Sequence, residues 1–169
     1  VRKFTNLLYY DPEWVNVKLS NFDVVEVDGC RFHVTDQINA IQRVKGNDWF
    51  DGVRDTDTVV DIGANIGAIT IPLAKMARRV LAVEPVFWDE LRNNVQLNNL
   101  QNVIVEDLAV GKTTGRTTVQ FAGHDKQVTV VPFKAIKGLV NDKIDFLKMD
   151  GEGCEWDIEP EELKGIREL

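Results

Sequence analysis

The spacing of hydrophobic residues differs between the first 50 residues and the rest of the chain. In the first part, hydrophobic and polar residues alternate. Residues 22–27 alternate apolar and polar side chains, Asp28 and Gly29 follow, and residues 30–34 alternate again. An Asp-Gly pair between two alternating runs predicts a β-hairpin with a two-residue turn. We therefore predict an N-terminal extension over residues 1–50 that contains this hairpin and a polar stretch of helical pattern.

From residue 51 to residue 169, strand-like and helix-like segments alternate. Short apolar runs predict buried parallel strands at residues 58–61, 80–84, 102–106 and 144–150. Helical spacing of apolar side chains predicts helices at residues 66–78, 88–99 and 161–169. This order indicates one α/β domain with a mostly parallel sheet and right-handed crossovers. Pro72 lies inside the first helix, where we expect a slight bend.

One segment departs from this alternation and predicts antiparallel strands. Residues 112–115 have the composition of a hairpin turn, residues 117–121 form a Thr-rich alternating run, and residues 128–133 form a second apolar run. We expect an antiparallel excursion from the main sheet here.

Composition and charge argue against several classes of function. The 169 residues carry a net charge of -7, which argues against a nucleic-acid partner. No apolar stretch approaches the roughly 20 residues that cross a bilayer, so no membrane partner is expected. Cys30 and Cys154 are far apart and fit free thiols in a reducing cytoplasm. The two histidines are too few and too scattered for a metal site.

The candidate chemistry lies where the first strand turns into the first helix. Gly63 and Gly67 give this loop a permissive backbone, and the helix start offers unpaired amides. Asp61 can order the loop or accept a bond from a ligand. Glu84 ends the next strand, where a carboxylate suits the two hydroxyls of a ribose.

The spacing of the glycines indicates which nucleotide-like cofactor the loop fits. The dinucleotide fingerprint has glycines two and then three residues apart, whereas Gly63 and Gly67 are four apart with Asn65 between them. No Walker lysine follows the loop, so a diphosphate fits poorly. S-adenosylmethionine has a ribose and no phosphate, and we predict it as the cofactor.

Three segments resemble a known family. Residues 59–67 resemble the first motif of class I methyltransferases, in the Gly-Ala-Asn-Ile-Gly version typical of FkbM-type enzymes. Residues 83–85 and 144–155 resemble two further segments of that family, and the match covers roughly residues 55 to 158. The resemblance implies a Rossmann-like core and O-methylation of a small-molecule or sugar hydroxyl.

The resemblance also implies roles for individual residues. The residues it assigns to the cofactor are Asp61, Gly63, Asn65, Gly67, Glu84, Asp107 and Leu108. Asp150 and Glu152 are the expected catalytic residues, because a hydroxyl acceptor gains from a general base within hydrogen-bond reach. No metal is implied.

Two departures from the family pattern create further expectations. Gly151 stands where a bulkier aliphatic residue is usual and is expected to loosen its loop, while Cys154 replaces an alanine. Only 19 residues follow Asp150, whereas the family's domain has about three more strands. We therefore expect a C-terminally short sheet with an exposed edge. A second copy, forming a homo-oligomer, or the N-terminal hairpin would cover that edge.

Two alternative functions stay open. Residues 71–75 and 98–103 also resemble tRNA guanine methyltransferases, although the acidic pI and the absence of an Asn-Pro-Pro-Tyr-type motif count against an RNA substrate. A short sheet also fits a truncated, non-catalytic binding module.

Overall fold

The computed structural model describes residues 18–19, 24–33, 35, 37, 40–41, 50, 52–121, 123–141 and 143–169. The strands are β1 (Lys18–Leu19), β2 (Val24–Val27), β3 (Cys30–His33), β4 (Thr58–Ile62), β5 (Arg79–Val83), β6 (Val103–Glu106), β7 (Leu108–Val110), β8 (Gly115–Phe121), β9 (His124–Val131) and β10 (Phe146–Met149). The helices are α1 (Thr70–Met76), α2 (Trp88–Leu97) and α3 (Phe133–Val140), followed by 3-10 helices at Cys154–Asp157 and Pro160–Leu163. Most of the proposed extension, including the stretch expected to be helical, lies outside the described residues.

The centre of the fold is a parallel sheet with the strand order β10-β4-β5-β6. Every residue of β4 is buried, and so are the last four of β5, as expected of strands with helices on both faces. The carboxyl ends of the four strands meet at one edge of the sheet, where ligands bind in such folds. The prediction of a Rossmann-like α/β domain is confirmed.

The N-terminal hairpin forms as predicted but does not extend the central sheet. Asp28 and Gly29 both have positive φ in the turn between β2 and β3. The outer edge of β3 meets α2, where Asn94 Oδ1 accepts a hydrogen bond from His33 N at 2.8 Å. One helical turn later, Asn98 Oδ1 accepts from Arg31 N at 2.9 Å. The hairpin therefore packs on a helix, and the expectation that it covers the sheet edge is wrong.

The antiparallel excursion is present with a different turn. β8 and β9 pair along their length, so their hairpin turn lies near Gly123. Residues 111–114 instead connect β7 to β8, which are separated in their sheet by β9. The predicted hairpin turn at 112–115 is wrong because turn composition marks a change of direction without identifying which strands pair.

Near the carboxyl end, one helix was not predicted and one predicted helix does not form. α3 follows Pro132 and buries Phe133, Ile136 and Val140, a helical spacing that the sequence analysis overlooked. The helix expected at 161–169 ends after one 3-10 turn, and Gly165 adopts a φ of +89°.

The outer edge of β10 is partly occupied by the last residues of the chain. Leu147 N donates to Glu168 O at 3.1 Å, and both Arg167 N and Glu168 N donate to Asp145 O. Asp145 is further fixed because its Oδ2 accepts a hydrogen bond from Thr58 N, and this bond lowers the pKa of the carboxyl. Pairing through this edge with a second copy stays a prediction.

The first helix begins later than its periodicity indicated. α1 starts at Thr70, so Pro72 falls in its first turn, where a missing N–H is tolerated. The bend expected at Pro72 is therefore not required.

The helices in the described part of the chain are all too short or too polar to cross a bilayer.

Candidate active site

The glycine loop is fixed to both neighbouring strands as it leaves β4. Gly63 N and Ala64 N donate to Val83 O on β5, at 2.9 and 3.2 Å. On the other side, a Cβ placed on Gly63 would overlap the carbonyl oxygen of Asp150, and the φ of Gly63 is +72°. Glycine is therefore required at position 63, because the end of β10 passes directly against the loop.

Gly67 has a packing role behind the loop. Its φ is +92°, and an added Cβ would lie 2.7 Å from Leu91 Cδ1 and 3.3 Å from Ile71 Cδ1. The residue thus allows the start of α1 to approach α2. Gly67 does not belong to the wall of the cavity described below, so its expected contact with the cofactor is not seen in the geometry.

Glu84 faces the glycine loop, as the sequence analysis required. Its Oε2 accepts a hydrogen bond from Asn65 N at 2.8 Å, and its Oε1 accepts from Val86 N at 2.7 Å and Phe87 N at 3.1 Å. The side chain is 5% exposed. Bonds from amides to a carboxylate are strong, so they fix its orientation. Each carboxylate oxygen has two acceptor positions, and Oε2 keeps capacity for a ligand hydroxyl.

Asp61 lies beneath the loop. It is fully buried, and its Oδ2 accepts a hydrogen bond from Thr70 Oγ1 at 2.6 Å. Its Oδ1 lies 3.0 Å from Lys148 Nζ in an ion pair, and no other described group donates to this atom. Asp61 therefore orders the loop and does not line the cavity.

A cavity of about 310 Å³ opens above the carboxyl ends of the strands. Four segments form most of its wall, and these are residues 63–65, 84–86, 108–110 and 150–152. Its volume is at the lower end of the range of small-molecule sites. Within the described residues, no cluster of histidine, cysteine and carboxylate side chains is arranged to hold a metal ion.

The structure brings together six of the nine predicted site residues. Those on the cavity wall are Gly63, Asn65, Glu84, Leu108, Asp150 and Glu152. Asp107 points to solvent, because it lies between β6 and β7 and only its neighbour Leu108 turns inward. Sequence analysis missed Lys148, whose position inside an apolar strand was an available signal, and Val119, which β8 contributes.

The loop after β10 is held by hydrogen bonds and close packing, contrary to the loosening expected of Gly151. Glu155 accepts hydrogen bonds from Gly151 N at 2.8 Å and from Gly153 N at 2.9 Å. A Cβ on Gly151 would overlap the sulfur of Cys154. The two departures from the family pattern therefore compensate each other, since the larger Cys154 fills the space that the smaller Gly151 leaves.

The Cys154 thiol in this loop is expected to react slowly with alkylating reagents. Burial, with help from the nearby carboxylates of Glu155 and Asp157, raises the pKa of the Cys154 thiol from 9.0 to about 11. The thiolate fraction at pH 8 should then be about a hundredfold lower in the native than in the unfolded chain. We expect alkylation of Cys154 by iodoacetamide, followed by peptide mass spectrometry, to be slowed at least as much.

The raised pKa also predicts a pH dependence with a definite sign. Because the folded state favours the neutral thiol, its contribution to stability is complete below pH 9 and is lost as the pH rises to about 11. Urea unfolding of the Cys154→Ala variant should lack this component of the alkaline decline. Equal alkylation rates in the native protein and in urea would contradict the prediction.

A parallel sheet whose first glycine loop faces an acidic residue at the end of the next strand is the architecture of class I methyltransferases. The chain matches the TRM5/TYW2 methyltransferase domain over residues 24–151 and belongs to this family. The predicted enzyme class, an S-adenosylmethionine-dependent methyltransferase, is thereby confirmed, and so is its cofactor.

Individual relatives match parts of the chain. A probable ribosomal RNA small subunit methyltransferase A of Methanosphaera stadtmanae is 34% identical over 85 residues, which cover 48% of this chain and 29% of that protein. The solved structure of M. jannaschii TYW2 in complex with AdoMet is 29% identical, with a TM-score of 0.38, and the match covers 52% of this chain and 44% of that one. M. jannaschii tRNA m1G37 methyltransferase is 20% identical, with a TM-score of 0.38 and coverages of 55% and 33%. The chain thus spans less than half the length of these relatives.

One expectation from composition is overturned by the first of these relatives. The net charge of -7 argued against a nucleic-acid partner, whereas the 34% identical relative is named as a probable ribosomal RNA methyltransferase. Net charge averages over a whole surface, but nucleic-acid binding needs only a local positive area and a site that accepts a base. The overall charge was therefore a poor guide.

Proposed function

We propose that this domain transfers the methyl group of S-adenosylmethionine to an RNA base. The observation that carries the proposal is one cavity lined by two chemically different groups of residues. We assign the glycine loop and Glu84 to the cofactor, as the cofactor side, and Asp150 and Glu152 to the acceptor, as the acceptor side. Donor and acceptor then meet in one cavity, which is the main requirement of an in-line methyl transfer.

The residues on the cofactor side fit an adenosyl group. Glu84 offers a fixed carboxylate acceptor for ribose hydroxyls, and Leu108 offers an apolar surface for a purine. Asn65, whose backbone φ is +50°, also lines the cavity. The amides of residues 63–67 all donate hydrogen bonds within the protein, so the expectation of unpaired amides in this loop is wrong. When bound, the cofactor supplies an activated methyl group, and this chain's residues orient it and the acceptor.

On the acceptor side, Asp150 and Glu152 are the proposed proton acceptors. Both line the cavity, and Asp150 N is fixed by a 3.0 Å hydrogen bond to Ile62 O. Glu152 is exposed and has a φ of +54°, so it lies at the entrance. The family membership and the ribosomal RNA methyltransferase relative support RNA as the acceptor class.

A competing function is O-methylation of a small-molecule or sugar hydroxyl by an FkbM-type enzyme. It rests on the resemblance of residues 59–67, 83–85 and 144–155 to that family and stays a prediction, as does the cytoplasmic location. Division of the chain at residue 50 also stays a prediction.

The proposed function is tested with S-adenosylmethionine carrying a tritiated methyl group. Incubation with total tRNA and ribosomal RNA should give acid-insoluble label that ribonuclease releases. Asp150→Asn should lower the rate by about 100-fold or more, the usual contribution of a general base. Asp55→Asn, an exposed carboxylate in the turn before β4, is the matched control and should retain the rate.

Each other outcome has a definite meaning. Label appearing in sugars or phenols and not in RNA would overturn the RNA proposal in favour of hydroxyl methylation. Absence of binding at millimolar S-adenosylmethionine, measured by calorimetry, would overturn both and favour a non-catalytic module.

A further inference from the structure

Lys148 is a cavity residue to which none of the roles above assigns a function. Its side chain is 12% exposed, and the register of the sheet places it opposite Asp61. Its Nζ donates hydrogen bonds to Gly63 O at 2.8 Å and to Ile62 O at 3.1 Å, and it lies 3.0 Å from Asp61 Oδ1. Three oxygens that belong to β4 and the glycine loop thus surround one ammonium group.

These contacts connect the two sides of the cavity. Ile62 O and Gly63 O mark the point where β4 becomes the glycine loop, which forms the cofactor side. Lys148 itself belongs to β10, whose end carries Asp150 on the acceptor side. A lysine in this place links the donor half and the acceptor half through one side chain.

We propose that Lys148 is a positioning residue that holds the glycine loop at a fixed distance from the acceptor side of the cavity. The proposal rests on the proposed function, because it assigns the loop to the cofactor. Its action is indirect, since Lys148 sets the conformation of Ile62 and Gly63.

The experiment must distinguish the positioning of the loop from a purely structural role of Lys148. A buried carboxylate without a cation is strongly destabilising, so Lys148 could serve only to neutralise Asp61. If so, removing both charges together should restore the protein. The positioning role depends instead on the two carbonyl contacts, which the removal of Asp61 does not replace.

The test compares Lys148→Met with the double variant D61N/K148M. Urea unfolding measures stability, and calorimetry measures the affinity for S-adenosylmethionine. We expect Lys148→Met to lower both. In the double variant we expect stability to recover while the affinity stays at least about tenfold below that of the single variant Asp61→Asn, which keeps the two carbonyl contacts of Lys148, the effect of one lost charge-assisted hydrogen bond. Recovery of both properties in the double variant would overturn the proposal.

Two further measurements make the result unambiguous. Lys164→Met removes an exposed lysine that pairs with Glu161, and this control should change neither property. Hydrogen exchange at the amides of residues 63–66 needs no ligand, and exchange should be faster in D61N/K148M than in Asp61→Asn alone. If wild type binds no S-adenosylmethionine, the proposed function fails, but unchanged exchange in the double variant would separately refute the role of Lys148.

Discussion

Replacing Gly63 with alanine is expected to lower the free energy of unfolding by about 3 kcal/mol or more and to abolish cofactor binding. The backbone at position 63 has a φ of +72°, which costs a non-glycine residue about 1–2 kcal/mol. The added methyl group would also overlap the carbonyl oxygen of Asp150, and overpacking of this kind costs typically about 1–3 kcal/mol. Relief of the overlap would require β10 and the loop to separate, which would open the cavity.

Urea unfolding and calorimetry with S-adenosylmethionine measure these two effects. Gly115→Ala is the matched control, because an added Cβ at Gly115 meets nothing within 4 Å and the residue is exposed. It should retain both stability and binding. Wild-type affinity in Gly63→Ala would show that the loop and β10 need not be in contact for the cofactor to bind.

Replacing Glu84 with glutamine is expected to cause the second large loss. Glutamine presents an NH2 group to amides that now donate to a carboxylate oxygen, so at least one of the bonds from Asn65, Val86 and Phe87 is lost. The expected cost is about 2–4 kcal/mol of stability, because hydrogen bonds to charged groups contribute roughly 1.5–3 kcal/mol each.

Cofactor affinity should fall by about 10- to 100-fold in the same variant, since the acceptor for the ribose is neutralised and displaced. Glu161→Gln serves as the control, as Glu161 forms an exposed ion pair with Lys164 that contributes little. Adenosine alone should show the same loss as S-adenosylmethionine. An unchanged affinity for both would mean that Glu84 supports the loop without binding a ribose.

The relation between Asp61 and the loop shows where residue patterns mislead. The sequence analysis left Asp61 either to order the loop or to bond a ligand, and the family resemblance assigned it to the cofactor. In the structure Asp61 is fully buried, bonded to Thr70 and paired with Lys148. Pairing between β4 and β10 places Lys148 opposite Asp61. The two strands are more than 80 residues apart in the sequence, so no local pattern indicates this contact.

The sequence by itself determined the parallel strands, the glycine loop and the acidic end of β5. These features are local, because an apolar run, a turn that needs positive φ and a carboxylate after a strand are each recorded in a few adjacent residues. The hairpin turn at Asp28 and Gly29 was predictable for the same reason.

Only the tertiary structure decided which loop residues face the cavity. Gly67 lies behind the loop because Leu91 of α2 packs against it, and Gly151 tightens its loop because Cys154 fills the adjacent space. Lys148 joins the site because strand pairing sets it opposite Asp61. Such contacts depend on side chains brought together from distant segments, and no short stretch of the chain encodes them.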